Sequence, residues 1–207
     1  VTFQDQNCQI SESAFGGFSA IKELKFTDGL DKSLDFKKRA LANLSNLMYL
    51  ELFGKTIELG EEAFKLCKSI KIVKIKAKES VKIGKQCFFK CDGLTSVIIE
   101  VVSDSSSGAQ SDVIELCYEC FRDCRSLEKL YLKGQSAHLG VIESFNQFRG
   151  VTSNITIYAY EQRIHDHLIS CKQQRGKHKT LEPKSNENNN HISTNPTPSI
   201  PEIIIEK

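Results

Sequence analysis

The chain of 207 residues predicts an α/β repeat solenoid of about six units, each reading strand, turn, short helix, strand. Three observations carry that expectation. An aromatic or apolar anchor recurs at Phe15, Leu41, Phe64, Phe88, Phe121 and Phe145, at spacings of 26, 23, 24, 33 and 24 residues. Around each anchor, positions −1, 0, +3 and +6 repeat near the helical period. Beyond it, positions +9 and +11 alternate as a half-buried strand does.

The elements follow in order along the unit. Position −1 is small, namely Ala14, Ala40, Ala63, Cys87, Cys120 and Ser144. Position +3 holds Phe18, Leu44, Cys67, Cys91, Cys124 and Phe148, and position +6 holds Ile21, Leu47, Ile70, Leu94, Leu127 and Val151. The strand after the anchor carries Leu24, Leu50, Val73, Val97 and Leu130 at +9, then Phe26, Leu52, Ile75, Ile99 and Leu132 at +11. A second alternation precedes three anchors: Ile57 and Leu59, Val81 and Ile83, Ile114 and Leu116. Gly60 and Gly84 close it where a turn is expected to enter the helix. The sixth unit slips, because Asn154 and Thr156 fall at its two strand positions while Ile155 and Ile157 stand one residue later. One such unit cannot cover its own apolar face, so the units must stack.

Residues 1–158 form the expected solenoid. A polar insertion at 101–112, with Ser103–Asp112 as its flexible part, explains the 33-residue spacing. Residues 159–175 place Tyr160, Ile164, Leu168 and Cys171 at helical spacing and are expected to cap the last unit. Residues 176–207 are polar, contain all four prolines, and read as a disordered linker or tail, with Ile203–Ile205 a stub of something further. The chain begins at Val1 without a basic-then-apolar leader, which is expected of a processed or excised piece.

Composition narrows the function classes. A net charge of +2 does not mark nucleic acid as the partner, and no run of 18 apolar residues spans a membrane. No nucleophile-elbow, zinc-protease or phosphate-loop motif occurs, and Asp28, Asp31, Asp35 and the other carboxylates show no paired arrangement tied to a base or nucleophile, so no catalysis and no cofactor are expected. Cys67, Cys91 and Cys124 share one repeat position and read as a buried ladder of small apolar filler, with disulfides between neighbouring rungs as the rival. Cys117, Cys120 and Cys124 space like zinc ligands, but each falls on a repeat position that packing explains, and no fourth ligand follows. His165 and His167, two apart, face opposite sides of a helix, and Lys172, Arg175, Lys177 and Lys179 read as a solvated basic end, with contact to an anionic surface or membrane as the rival. Asn43 and Asn154 match the glycosylation acceptor pattern.

The unit I-x-L-G-x-x-A-F-x-x-C-x-x-L-x-x-V-x-I, seen at Ile57–Ile75 and Val81–Ile99, resembles the BspA-like class of leucine-rich repeat over residues 8 to 158. The resemblance implies a leucine-rich-repeat right-handed superhelix with a parallel sheet on its concave side. It also implies display on the surface of protozoan parasites and host-associated bacteria, and binding to host or matrix proteins.

The strand positions +8, +10 and +12 point away from the core and make the candidate ligand-binding face. They are Tyr49, Glu51 and Phe53; Ile72, Lys74 and Lys76; Ile98; and Lys129, Tyr131 and Lys133, flanked by Glu23, Lys25, Thr27, Ser96 and Glu100. Aromatic and aliphatic groups among lysines fit an interface centre that takes an acidic protein partner. Strand propensity alone is the competing explanation for those side chains. An intracellular protein-interaction scaffold and a structural spacer of a larger surface protein are the alternative functions.

Overall fold

A computed structural model describes residues 8–16, 18–27, 29–102, 113–134, 136–138, 146–151, 154–159 and 202–205. Among them eleven strands occur: β1 (Cys8–Ile10), β2 (Glu23–Phe26), β3 (Leu34–Phe36), β4 (Tyr49–Leu59), β5 (Ile72–Ile83), β6 (Ser96–Val101), β7 (Val113–Leu116), β8 (Lys129–Lys133), β9 (Ser136–His138), β10 (Thr156–Ala159) and β11 (Glu202–Ile205). All pairings are parallel, and the chain winds a β-solenoid of about five turns.

Each coil contributes to two ladders. The first runs β2, the front half of β4, the front half of β5, β6, β8 and β10. The second runs β1, β3, the rear halves of β4 and β5, β7 and β9. The chain turns from one ladder to the other at a corner, where the register shifts between Gly54 and Thr56. Small or short residues stand there, and a Cβ on Gly54 would lie 2.9 Å from the Lys32 carbonyl oxygen.

Inward-facing residues of both ladders pile into columns. Leu24, Leu50, Val73, Val97, Leu130 and Ile157 form one; Phe26, Leu52, Ile75, Ile99, Leu132 and Ala159 form its neighbour, and all are buried. The alternation 57/59, 81/83 and 114/116 is likewise buried, extended at the start by Leu34 and Phe36. Between the ladders the anchors stack: Phe64 on Phe88 at 5.4 Å, Phe88 on Phe121 at 5.6 Å, and Phe121 on Phe148 at 5.8 Å between ring centres. Near-parallel stacked pairs contribute about 1 kcal/mol each beyond the burial of their area.

The α/β class and the short helix do not hold, because the segment around each anchor is an arc of tight turns. In the third unit the amides of Ala63, Lys65 and Cys67 bond the carbonyls three residues back. The intervening amides of Glu62, Phe64 and Leu66 donate instead to Lys85, Cys87 and Phe89 of the next coil, at 2.9–3.0 Å. A helix would turn every amide back onto its own chain. Here alternate donors leave, and the backbone directs them outward by adopting the left-handed region at positions −2 and +2. Arg39 and Asn43, Glu62 and Leu66, Gln86 and Lys90, Glu119 and Asp123 all show φ between 52° and 62°. Non-glycine residues pay roughly 1–2 kcal/mol for that conformation, and the inter-coil hydrogen bonds hold it. Among the described residues the helical content is the single 3₁₀ turn Asn146–Phe148.

The sixth unit is shifted by three residues from the expected register. Phe145 lies outside the described residues, but Phe148 occupies the anchor position: the Phe121 amide bonds Gln147 as the Phe88 amide bonds Cys120. Gly150 then falls at +2 with φ of 77°, and Ile157 and Ala159 at +9 and +11. Gly60 and Gly84 also act differently from expectation. Neither needs a left-handed turn; each lets two coils approach, since an added Cβ would lie 2.6 Å from the Phe36 oxygen or 2.5 Å from the Leu59 oxygen. At the end of the chain, Glu202–Ile205 of the expected polar tail pair with β10, and Val101 of the expected insertion completes β6. The predicted cap helix, with His165 and His167, and the insertion proper lie outside the described residues.

Two stability changes follow. Phe88→Ala opens a cavity in the middle of the ring column and is expected to cost about 3–5 kcal/mol in urea unfolding. Gly84→Ala forces backbone against backbone between adjacent coils, and its expected loss is about 2 kcal/mol or more by the same measurement.

Candidate functional site

The first ladder positions the candidate face by register alone. With +9 and +11 inside, +8, +10 and +12 look outward, and the named side chains line up in three columns. Glu23, Tyr49, Ile72, Ser96, Lys129 and Thr156 make one. Lys25, Glu51, Lys74, Ile98, Tyr131 and Tyr158 make the middle one, and Phe53, Lys76, Glu100 and Lys133 the third. All are half-buried except Glu23, Lys129 and Lys133, which are exposed. Thr27, also half-buried, lies just past the end of β2.

Two aromatic clusters break the strip. Tyr49 sits between two ammonium groups, Lys25 at 5.2 Å and Lys74 at 5.5 Å from its ring centre. Its hydroxyl is the first cause that pushes the Lys74 pKa up. Tyr131 stacks on Tyr158 with ring centres 4.4 Å apart and planes 8° from parallel. Beside this pair a cleft of about 300 Å³ is lined by Ile98, Ile99, Glu100, Tyr131 and Lys133. Tyr158 escapes sequence reasoning because the misplaced anchor of the sixth unit hides it. Moving that anchor to Phe148 puts Tyr158 at +10, directly beside Tyr131.

The charge of the strip is more balanced than its lysines suggest. Glu100 takes both Lys133, at 2.8 Å, and Lys76, at 3.6 Å. Lys25 reaches Glu23 at 3.3 Å. Five lysines against three glutamates still leave the face positive. Burial works against the Glu100 carboxylate, yet Lys133 and Lys76 bring its pKa below the ordinary value.

A second polar cluster lies on the turn arc, where the repeat pattern marks only apolar positions. Glu119 is buried and accepts hydrogen bonds from Gln86 at 2.6 Å, Arg122 at 3.0 Å and Arg149 at 3.1 Å. Glu62, two coils earlier in the same −2 column, accepts from Arg39 and from Lys65, the latter at 2.6 Å. Between them Phe89 carries Lys65, Lys90 and Arg122 within 5.3 Å of its ring centre. Burial raises both carboxyl pKa values, and the hydrogen bonds outweigh it, leaving each below the ordinary range. Each carboxylate takes a donor from its own coil, Lys65 or Arg122, and at least one from a neighbouring coil, Arg39 on Glu62 and Gln86 and Arg149 on Glu119, so the cluster clamps coils together.

The cysteines belong to the packing. Among the described residues Cys8, Cys67, Cys87, Cys91, Cys117, Cys120 and Cys124 are free thiols. The ladder has a polar role beyond filler: Cys67, Cys91 and Cys124 donate to the carbonyls of Leu41, Phe64 and Phe88 on the preceding coil, at 3.3, 3.1 and 3.0 Å. Burial pushes the Cys67, Cys87, Cys91 and Cys120 thiols well above their usual pKa. Cys117 is pushed up to about 11 by burial and then by Glu115. No group of three metal-ligating side chains converges among the described residues, and no helix among them is long and apolar enough to cross a membrane.

Parallel ladders and stacked anchors define the class as a repeat solenoid. The BspA type leucine-rich repeat region (6 copies) matches residues 1–109, and the chain belongs to that family. The same ladders continue past the match through β7, β8 and β10. No curated protein and no solved structure matches the chain. Family membership indicates a protein-interaction module of a typically non-enzymatic kind.

The buried acid gives stability a pH signature. Because the Glu119 pKa is lowered in the folded state, its contribution is complete above the unfolded value of about 4.3 and is lost as pH falls through the folded value. Glu119→Gln is expected to cost about 3 kcal/mol at neutral pH, and to flatten the fall in unfolding free energy below about pH 4, read by denaturant titration across pH.

Proposed function

We propose that this chain is a non-catalytic binding module of a surface or secreted protein, engaging a host or matrix protein through the outward face of its first ladder. The residues that carry contact are Tyr49, Glu51, Phe53, Ile72, Lys74, Lys76, Ile98, Lys129, Tyr131 and Lys133, with Tyr158 added. The observation that supports this reading most is the Tyr131–Tyr158 stack beside the 300 Å³ cleft. Two rings locked against each other present apolar area with little rotamer entropy left to lose on binding. Strand propensity accounts for a single outward tyrosine; it gives no reason for a ring pair bordering a cleft that ends in a Lys133–Glu100 ion pair. The residual positive charge favours an acidic segment of the partner, with the charges at the rim and the rings at the centre. Surface display rests on the family resemblance. A second reading, an intracellular scaffold using the same face, is favoured by the seven free thiols, which persist in a reducing compartment.

The reading is tested with a displayed peptide library selected on the whole chain. Peptides so selected should lose about tenfold or more in affinity for Tyr131→Ser and Tyr158→Ser. They should bind Lys68→Ser, on the exposed turn arc, as they bind the parent chain. Equal binding to all three variants, with folding intact, defeats the assignment of the face.

A further inference from the structure

We propose that the outer side of the turn arc, centred on Phe89, is a second binding site, and that its occupant is a sulfated polysaccharide. Charge is sorted by depth here. Glu62 and Glu119 are buried, while Arg39, Lys65, Arg122 and Arg149, the cations that bond them, reach toward solvent. The Glu119 side chain is 2% exposed and that of its partner Arg149 is 59% exposed. Lys85 and Lys90, on the same coil as Phe89, are exposed and form no ion pair among the described residues. Glu61, next to Lys85 in its column, is taken by Lys38 at 3.1 Å. Asp123 stands beside Arg122 at 3.7 Å. Arg39, Lys65, Lys85, Lys90, Arg122 and Arg149 thus face Glu62, Glu119 and Asp123, and the local excess of positive charge is larger than the +2 of the whole chain.

The cations are held before anything binds. Lys65, Lys90 and Arg122 lie 5.3, 5.2 and 5.3 Å from the Phe89 ring centre. The ring attracts each of them and gathers like charges that would otherwise spread apart. Long side chains fixed in this way lose less rotamer freedom when a ligand arrives. The arrangement follows the solenoid axis. Lys65, Phe89, Arg122 and Arg149 stand at position +1 of successive hydrogen-bonded coils, roughly 4.8 Å apart. An extended acidic peptide presents its same-side carboxylates about 6.7 Å apart, out of step with that pitch. Single-stranded nucleic acid needs an aromatic face on which a base can stack, and the Phe89 ring is already faced by cations. A sulfated sugar chain is linear, carries anions at several positions of each sugar, and meets such a row without a stacking platform.

Calorimetric titration of the full chain with a size-defined heparin fragment tests this, with circular dichroism to check that each variant is folded. The parent chain should bind, and Lys85→Ser with Lys90→Ser, which leaves the buried clamps intact, should weaken binding about tenfold. Phe89→Leu keeps every charge and should weaken it about threefold or more. Lys129→Ser with Lys133→Ser removes the same charge from the first ladder and should change it about twofold or less. Equal losses from the two lysine pairs, or unchanged affinity for Phe89→Leu, overturn the site, because attraction would then follow net charge alone. Absence of binding by the parent chain overturns it as well. Tighter binding of polyglutamate or of single-stranded DNA at matched charge overturns the assignment of the occupant.

Discussion

Alternate backbone amides of each turn arc are satisfied only by the next coil, and the whole architecture depends on that sharing. The donors of Glu62, Phe64 and Leu66 have no acceptor within their own unit. A coil taken alone would leave them bare in the core, at a cost that removes any reason to adopt the left-handed corners. Stacking supplies the acceptors and at the same time brings Phe64 over Phe88 and Val73 over Val97. The polar and apolar requirements are met by one translation, and the buried carboxylates of Glu62 and Glu119 lock that translation at the surface end of the arc.

The columns of the core were legible in the residues because their spacing is set by geometry that every unit repeats. The arc was misread for a physical reason. Positions −1, 0, +3 and +6 mark one face of a helix, and they equally mark the inward corners of successive tight turns. What distinguishes the two is the backbone at −2 and +2, where Arg39, Glu62, Gln86 and Glu119 carry no conformational label. Among the described corners the tolerant residue types are Gly150, Asn43 and Asp123, all at +2. Phe145 and Phe148 competed as anchors of the last unit, three residues apart and identical in type, and the choice between them decides where Tyr158 falls.

For the candidate face, direction was legible and pairing was not. Strand alternation alone puts Tyr49, Ile98 and Tyr131 outside. The partnership of Lys76 and Lys133 with Glu100, or of Lys25 and Lys74 with Tyr49, joins residues 24 or more positions apart and appears only when the coils are set side by side. The thiol column is similar. Periodicity finds Cys67, Cys91 and Cys124, while the carbonyl each one reaches belongs to a different coil. A serine there would donate more strongly, but its oxygen lone pairs would call for a donor inside an apolar wall, which gives cysteine its advantage.

The corner between the two ladders has an evolutionary consequence. β6 ends at Val101 and β7 begins at Val113, yet both ladders resume in unbroken register on either side, with Val97 on Leu130 and Ile83 on Leu116. Both ladders keep their register across that interval, so the number of residues in it is not counted by the pitch of the coil. Such a corner lets a lineage try extra segments of varied length and chemistry beside a constant framework, and diversity can collect there without any renegotiation of the stack.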